Sequence, residues 1–462
     1  MKKFFAAVAI IFVAIGFSFA QHSVSYTITG LKNSRVFLMA VHGSRYDAVD
    51  SSNSVNGLIE FKNIDNLPVG VYRISFADSL FTDIILNNEE VVMTNKLSNL
   101  AESIQITSSE ENKIYYEYWH MSAIINDSIQ FITELGDAIY KSNNYERTPD
   151  LDSMALKVYL LSEKLNKYTY QLISKSQGLF VNKLLKAYAT PDWQAYKKST
   201  GAKIYKNRYA FLKEHFFDNI DFSDSTLLNS EVFYVLCTDY VTKYADPPTD
   251  SSYIAAIDYV LTKAQPYQPV YRYILNLFVN TFDDTEWEET FIHLVDNYLL
   301  KNTCTPDEHD KNMSERAAVL KKLKPGNKAP EMILNDINGN PISLYATKSK
   351  VTLLMFWSSE CEHCEKVMPQ ILNIYALNKP LGLEVFAVSA DTDKNSWINA
   401  VKKSEMSWIN VSDNKGFQSP AIIAYNAYST PTFFILDSEK NIIAHPYSPK
   451  DLAEGLRKAL EK

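Results

Sequence analysis

Val351-Thr352-Leu353-Leu354-Met355-Phe356-Trp357, followed after Ser358-Ser359-Glu360 by Cys361-Glu362-His363-Cys364, is the stretch on which the fold turns. Seven residues with almost no polar group read as a strand covered on both faces. Two thiols then stand one helical turn apart, where a helix begins. A pair so placed can close a small disulfide and open it again, the minimal apparatus for thiol–disulfide exchange. Zinc sites use the same C-x-x-C spacing. A structural zinc needs four ligands, however, and after Cys364 there is no cysteine and only one histidine, His445. A purely structural bridge gains little from closing so short a loop. No metal is expected, and no cofactor beyond the redox-active disulfide Cys361–Cys364.

Thiolate, not thiol, attacks a disulfide. Cys361 takes the place at a helix N-terminus that meets unpaired N–H groups and the positive end of the dipole. Cys364 lies one turn further in and is better shielded. Cys361 is therefore expected to attack and Cys364 to resolve the mixed disulfide. As a cation, His363 would stabilise the Cys361 thiolate and push the couple towards oxidising behaviour. Glu360, Glu362 and Glu365 oppose this with negative charge, and the direction of exchange stays open.

Downstream, Glu362 to Leu377 reads as a helix interrupted by Pro369, Glu384 to Ala390 as a strand and Asn395 to Ser404 as a helix. Thr432 to Leu436 and Asn441 to His445 read as a hairpin around Asp437-Ser438-Glu439-Lys440, and Ser448 to Leu460 as a closing helix. In Ser429-Thr430-Pro431-Thr432-Phe433-Phe434-Ile435 a proline precedes a strand, as suits a cis peptide that shapes a binding edge. Upstream, Asn338-Gly339 marks a hairpin turn. The alternation predicts a mixed α/β sheet with helices on both faces over 324–462. Lys321-Lys322-Leu323-Lys324-Pro325-Gly326 reads as a linker before it.

Residues 108–323 carry apolar residues at three- and four-residue spacing, as in Ile114, Tyr118, Met121, Ile125 and Ile129, and predict an all-α middle domain. The aromatic stripe Tyr115, Tyr116, Tyr118 and Trp119 reads as helical core rather than a ligand site. Residues 21–107 read as all-β, with Ser23 to Thr29 alternating strictly and Val24, Tyr26 and Ile28 on one face. Ser34 to Val41, Leu58 to Phe61, Val71 to Phe76 and Phe81 to Leu86 are further strands, and a β-sandwich is the simplest packing for them.

The 462 residues exceed one ordinary core. Lys2 and Lys3, the apolar run Phe4 to Phe17, and Ser18-Phe19-Ala20 predict a signal peptide over 1–20, cut before Gln21. Losing two lysines lowers the formal charge from −8 to −10. With no basic block, nucleic acid is not an expected partner. The mature chain is expected outside the cytoplasm, soluble or peripheral to a membrane. There a close cysteine pair in so long a chain is catalytic or labile rather than a staple. Cys237, in an apolar helix, reads as a buried inert thiol, and Cys304 as loop-borne. Asp307, Glu308, His309 and Asp310 read as a solvated acidic loop.

The segment from Lys324 to Lys462 resembles the TlpA/ResA-like thiol–disulfide oxidoreductases of the thioredoxin superfamily. Gly326-Asn327-Lys328-Ala329-Pro330, the Asn338-Gly339 turn, Phe356-Trp357 before C-x-x-C, Pro369 after it and Thr430-Pro431-Thr432 carry the match. Val49-Asp50-Ser51, Asn56-Gly57 and Gly70-Val71-Tyr72 resemble the N-terminal domain often joined to such modules in bacterial envelope proteins. The resemblance implies a thioredoxin-like fold, Cys361 as nucleophile, Cys364 as resolving cysteine and Pro431 as cis-proline. It implies that Thr430 backbone groups pair with a substrate strand. Trp357, Glu360, Glu362, His363, Glu365 and Thr430 are the expected tuning or substrate-contacting residues. It further implies a periplasmic reductase of protein disulfides, fed by a membrane-embedded thiol reductase.

Three positions depart from that pattern. Glu360 replaces the usual tryptophan, Met355 the buried acid of thioredoxin, and Val367 a glutamate thought to move protons. Glu365 or a water is the candidate substitute. Two other readings compete: an envelope binding or scaffold protein that uses this domain for recognition, and a thiol-based copper carrier with His363 or His445 as added ligand.

Overall fold

The computed structural model describes residues 22–62, 64–76, 80–200, 205–301 and 307–461. The leader expected over 1–20 and Cys304, with any pairing it makes, lie outside the described residues. The chain divides into two compact units. One runs to Tyr244 and takes back Lys263–Val270, and the other comprises Ala245–Thr262 and the chain from Tyr271 onward. The helical stretch is thus shared between them. Among the described residues no helix is long and apolar enough to cross a membrane.

The first unit opens with eight strands: β1 (Ser23–Thr29), β2 (Arg35–His42), β3 (Arg45–Asn53), β4 (Leu58–Lys62), β5 (Gly70–Phe76), β6 (Leu80–Leu86), β7 (Val91–Lys96) and β8 (Gln105–Ser108). They form two four-stranded sheets, ordered β4-β1-β7-β8 and β3-β2-β5-β6. Val24, Tyr26 and Ile28 of β1 share one apolar core with Leu38 of β2, Ile74 of β5 and Ile84 of β6, so both sheets feed it. Inside it the Tyr26 hydroxyl bonds Thr82 at 2.9 Å and accepts from Asn95 at 3.1 Å. Gly57 turns the chain at φ +83, and a Cβ there would lie 2.4 Å from the Ile28 carbonyl oxygen.

Three of these strands escape the sequence reading. β3 is mostly polar and has no buried residue, so no alternation marks it, and it owes its form to pairing along β2. β8 is only four residues long, and β7 passes from Val91-Val92-Met93 into polar residues midway.

Helices follow: α1 (Glu110–Ser142), α2 (Pro149–Lys175), α3 (Phe180–Tyr188), α4 (Trp193–Thr200), α5 (Arg208–His215) and α6 (Val232–Tyr244). Thr148 caps α2 and Pro149 opens it, where a missing N–H costs nothing. Buried Glu111 accepts the N–H groups of Phe180 and Val181, both at 2.7 Å, and so anchors α1 to the positive end of α3. The aromatic stripe builds the core in part: Tyr115 and Tyr118 are buried, with Tyr118 stacked on Tyr188, Tyr116 is half-buried and Trp119 is exposed. Cys237 is buried in α6, and burial pushes its thiol far up.

Next come α7 (Asp250–Ala264), α8 (Gln268–Phe282), α9 (Glu288–Leu294) and α10 (Glu308–Lys322). Asp307 and Asp310 are not a solvated loop. They form a capping box at the start of α10, and Asp310, fully buried, accepts from Arg272 at 2.7 Å.

A seven-stranded sheet completes the second unit: β9 (Ile333–Asp336), β10 (Pro341–Ser343), β11 (Val351–Trp357), β12 (Leu383–Ser389), β13 (Ile409–Ser412), β14 (Thr432–Leu436) and β15 (Ile442–Ala444), ordered β10-β9-β13-β12-β11-β14-β15. β11, β12 and β13 run parallel and the others pair antiparallel. Its helices are α11 (Glu362–Asn378), α12 (Lys394–Lys403), α13 (Pro420–Ala424) and α14 (Pro449–Glu461). Leu353, Met355 and Trp357 face a core with α11, α12 and α14, while Leu354 and Phe356 face the opposite core with α13. The expected linker is not one. Leu323 is buried in the second of these cores, and Gly326 donates its N–H to the Ile442 carbonyl at 2.8 Å. One leucine among three lysines is what the sequence reading passed over.

Candidate active site

β11 is buried at all seven residues and lies between β12 and β14, so its end is fixed from both sides. The Trp357 carbonyl accepts the Ala390 N–H at 2.8 Å. The turn that follows is held from below by Asp391, at the end of β12. Its carboxylate accepts the Ser358 hydroxyl at 2.8 Å, the Ser359 N–H at 2.9 Å, the Ser359 hydroxyl at 2.8 Å and the Ser389 hydroxyl at 2.7 Å. Asp391 is 5% exposed, so these donors replace the water it gives up. Sequence reasoning missed it, and the only signal was an acid just past a strand with two serines at the opposite turn.

Cys361 is the N-cap of α11. Its sulfur accepts the Cys364 N–H at 3.1 Å, and its S–H points to the Thr430 carbonyl at 3.2 Å. The Thr430–Pro431 peptide is cis. The thiol is half-buried, on the side where β14 begins. Cys364 is buried, and burial pushes its thiol up to about 12, with the neighbouring Cys361 adding to the rise. Both are free thiols in this structure.

The structure brings Trp357, Cys361, Cys364 and Glu365 to one cavity of about 620 Å³, floored by Met368 and Met406. Glu360, Glu362 and His363 are exposed around the N-terminus of α11. Glu362 pairs with Lys366 at 2.8 Å, and Glu360 donates its N–H to the Ser358 hydroxyl. Met355 is buried in the core, and Val367 packs half-buried against the same core as Cys361. His445 is engaged elsewhere: Nδ1 lies 2.7 Å from Glu288, and its ring stacks on Phe434. The arrangement offers one reachable sulfur, one shielded sulfur a turn away, and a backbone carbonyl beside the first.

Known proteins resemble parts of this chain. Residues 325–445 match the AhpC/TSA family, and residues 203–321 match a domain of unknown function, DUF5106. The thiol–disulfide oxidoreductase ResA of Bacillus cereus is 31% identical over 122 residues, covering 26% of this chain and 69% of that protein. ResA of Geobacillus kaustophilus is 29% identical over 134 residues, covering 28% of this chain and 75% of that protein. A crystal structure of a thioredoxin-like protein from Bacteroides caccae covers 54% of this chain and 92% of its own, at 22% identity and a TM-score of 0.45. With this degree of likeness to ResA, the chain belongs to the TlpA/ResA-like thiol–disulfide oxidoreductases of the thioredoxin superfamily.

Proposed function

We propose that the chain reduces disulfides in proteins outside the cytoplasm, through Cys361 and Cys364. One observation carries this reading: the half-buried Cys361 sulfur sits at a helix N-terminus beside the Thr430 carbonyl, while Cys364 is buried one turn behind. The Cys361 thiolate attacks one sulfur of the substrate disulfide. A Cys361–substrate bond forms, and the other substrate sulfur leaves as a thiolate and takes a proton. Cys364 then gives up its proton and attacks the Cys361 sulfur. The second substrate thiolate leaves, and the Cys361–Cys364 disulfide holds the two oxidised sulfurs.

Thr430 and Pro431 form the edge along which a substrate strand lies. Trp357, Glu360, Glu362 and His363 surround the attacking sulfur, and Glu365 takes the Cys364 proton. The electrons return from a membrane-embedded thiol reductase, which reduces the Cys361–Cys364 bond. Residues 1–20 act as the cleaved leader that sends the chain to the periplasm, ahead of a β-sandwich over 21–107, a helical domain over 108–323 and the thioredoxin-like domain over 324–462.

Insulin-disulfide reduction tests the assignment. Cys361→Ser abolishes turnover, and Cys364→Ser stops after one attack and accumulates a mixed disulfide that dithiothreitol releases. Turnover that survives Cys361→Ser, or no activity in the unsubstituted chain, sinks the reading.

A further inference from the structure

The hairpin of α1 and α2 leaves large apolar side chains in water. On α1, Ile124 and Phe131 are 65% and 67% exposed, and Leu135 joins them at 42%. Spacings of seven and four put the three on one stripe, about a quarter turn from Ile114, Tyr118 and Ile125, which are buried. On α2, Leu156 and Leu160 are exposed one turn apart. Single exposed apolar residues are ordinary, but repeating stripes on one hairpin mark a covered surface.

The flanking charges differ between the two helices. Asp127 and Glu134 border the stripe on α1, and Lys157, Lys164 and Lys167 border the stripe on α2. Among the described residues none of these five joins an ion pair, although other charges on the same helices do, such as Lys175 with Glu117. Pairing α1 with another α1 would set acid against acid. A lipid surface prefers basic flanks throughout, which α1 lacks. Acid on one stripe and base on the other complement each other across two copies.

The geometry points to self-association, with α1 of one copy packed against α2 of a second copy of this chain. A two-fold axis makes the contact twice, so each copy uses both stripes. The five side chains offer on the order of 500 Å² per copy, and their polar borders bring this towards the roughly 800 Å² per partner of a standard interface. The contact is independent of the thiol chemistry, so it stands or falls without it.

Sedimentation velocity over a concentration series tests it. The unsubstituted chain sediments as a monomer–dimer mixture. Phe131→Glu weakens dimerisation at least about tenfold, the loss of one interface anchor. Circular dichroism and insulin reduction stay unchanged, because the side chain is exposed and lies outside the site. Two charge reversals, Asp127→Lys with Glu134→Lys and Lys157→Glu with Lys164→Glu, are each monomeric alone and dimerise when mixed. A chain that is monomeric at every concentration, a dimer indifferent to Phe131→Glu, or reversals that fail to rescue each other overturns the proposal. So does a monomer whose flotation with anionic vesicles is lost in Phe131→Glu, which assigns the stripes to lipid.

Discussion

Asp391 carries more of the site than its distance from the cysteines in sequence suggests. Four donors from Ser358, Ser359 and Ser389 converge on it. Asp391→Ala leaves the buried Ser389 hydroxyl and three part-buried donors unmet, at about 3 kcal/mol in unfolding free energy. It also loosens the turn before Cys361, so insulin reduction falls along with the urea midpoint. A variant equal to the parent in both removes Asp391 from the support of the site. Cys364, proposed as the resolving thiol, makes a second prediction. Burial is the main cause of its rise to about 12, and a mixed disulfide that keeps Cys364 buried keeps that cause. Below that value its thiolate fraction grows about tenfold per pH unit, so release of the mixed disulfide accelerates as pH rises. If Glu365 takes the proton, Glu365→Gln slows release near neutrality and the two profiles converge at high pH. Superimposed stopped-flow profiles would exclude Glu365. The cysteines were legible because two thiols and a preceding apolar strand lie within 14 residues of chain. Asp391 was not, because its partners come together only when β11 and β12 pair.

At the scale of elements, β1, β11 and β14 matched their sequence patterns to the residue, since each has a face or faces wholly committed to a core. β3 and the Leu323 seat did not, since pairing and packing decide them rather than local pattern. The turn between β14 and β15 shows the same limit. Asp437-Ser438-Glu439-Lys440 reads only as the turn of a hairpin, yet Lys440 is buried and its Nζ donates to Thr352 Oγ1 at 2.9 Å and Ser349 Oγ at 3.3 Å. Burial lowers its pKa, with Asp437 opposing. The folded chain therefore releases this proton at a lower pH than the unfolded chain does. Between the lowered value and about 10.4 the unfolded state holds more protons, so stability rises with pH across that window. Below the window the cost of burying the charge is constant. Lys440→Met removes both the slope and the cost, while the Ser349 and Thr352 hydroxyls keep each other at 2.7 Å. Thermal unfolding at a series of alkaline pH values should flatten, with neutral-pH stability raised by about 1 kcal/mol. A variant less stable at neutral pH, with the slope intact, would show that the ammonium is a net stabiliser.

At the scale of the molecule, the second unit joins the thioredoxin-like sheet to helices that lie before it in the chain, and polar contacts fix that join. Arg316 of α10 donates to Asp283 at 2.7 Å, just past α8, and to Asn426 at 3.1 Å, just past α13. Glu288 of α9 receives both the His445 ring, at 2.7 Å, and the Tyr447 hydroxyl, at 2.8 Å. Pro431, Thr432 and His445 line one concavity with Phe282 and Glu288, so these helices stand next to the cis-proline edge. Arg316→Ala takes the cation from Asp283, whose carboxyl burial already pushes up. The loss costs about 2–3 kcal/mol, because Asp283 is left part-buried without its partner. Asp283 then binds a proton more readily in the folded state, so the deficit is largest at neutral pH and shrinks as pH falls and neutralises the orphaned carboxyl. Urea unfolding of parent and variant at neutral and mildly acidic pH measures both parts. Helices merely resting on the sheet would give equal midpoints. A join that positions the edge gives a second effect, a raised KM for insulin with a smaller change in kcat, because Asn426 lies four residues before Thr430 and loses its own hold on α10.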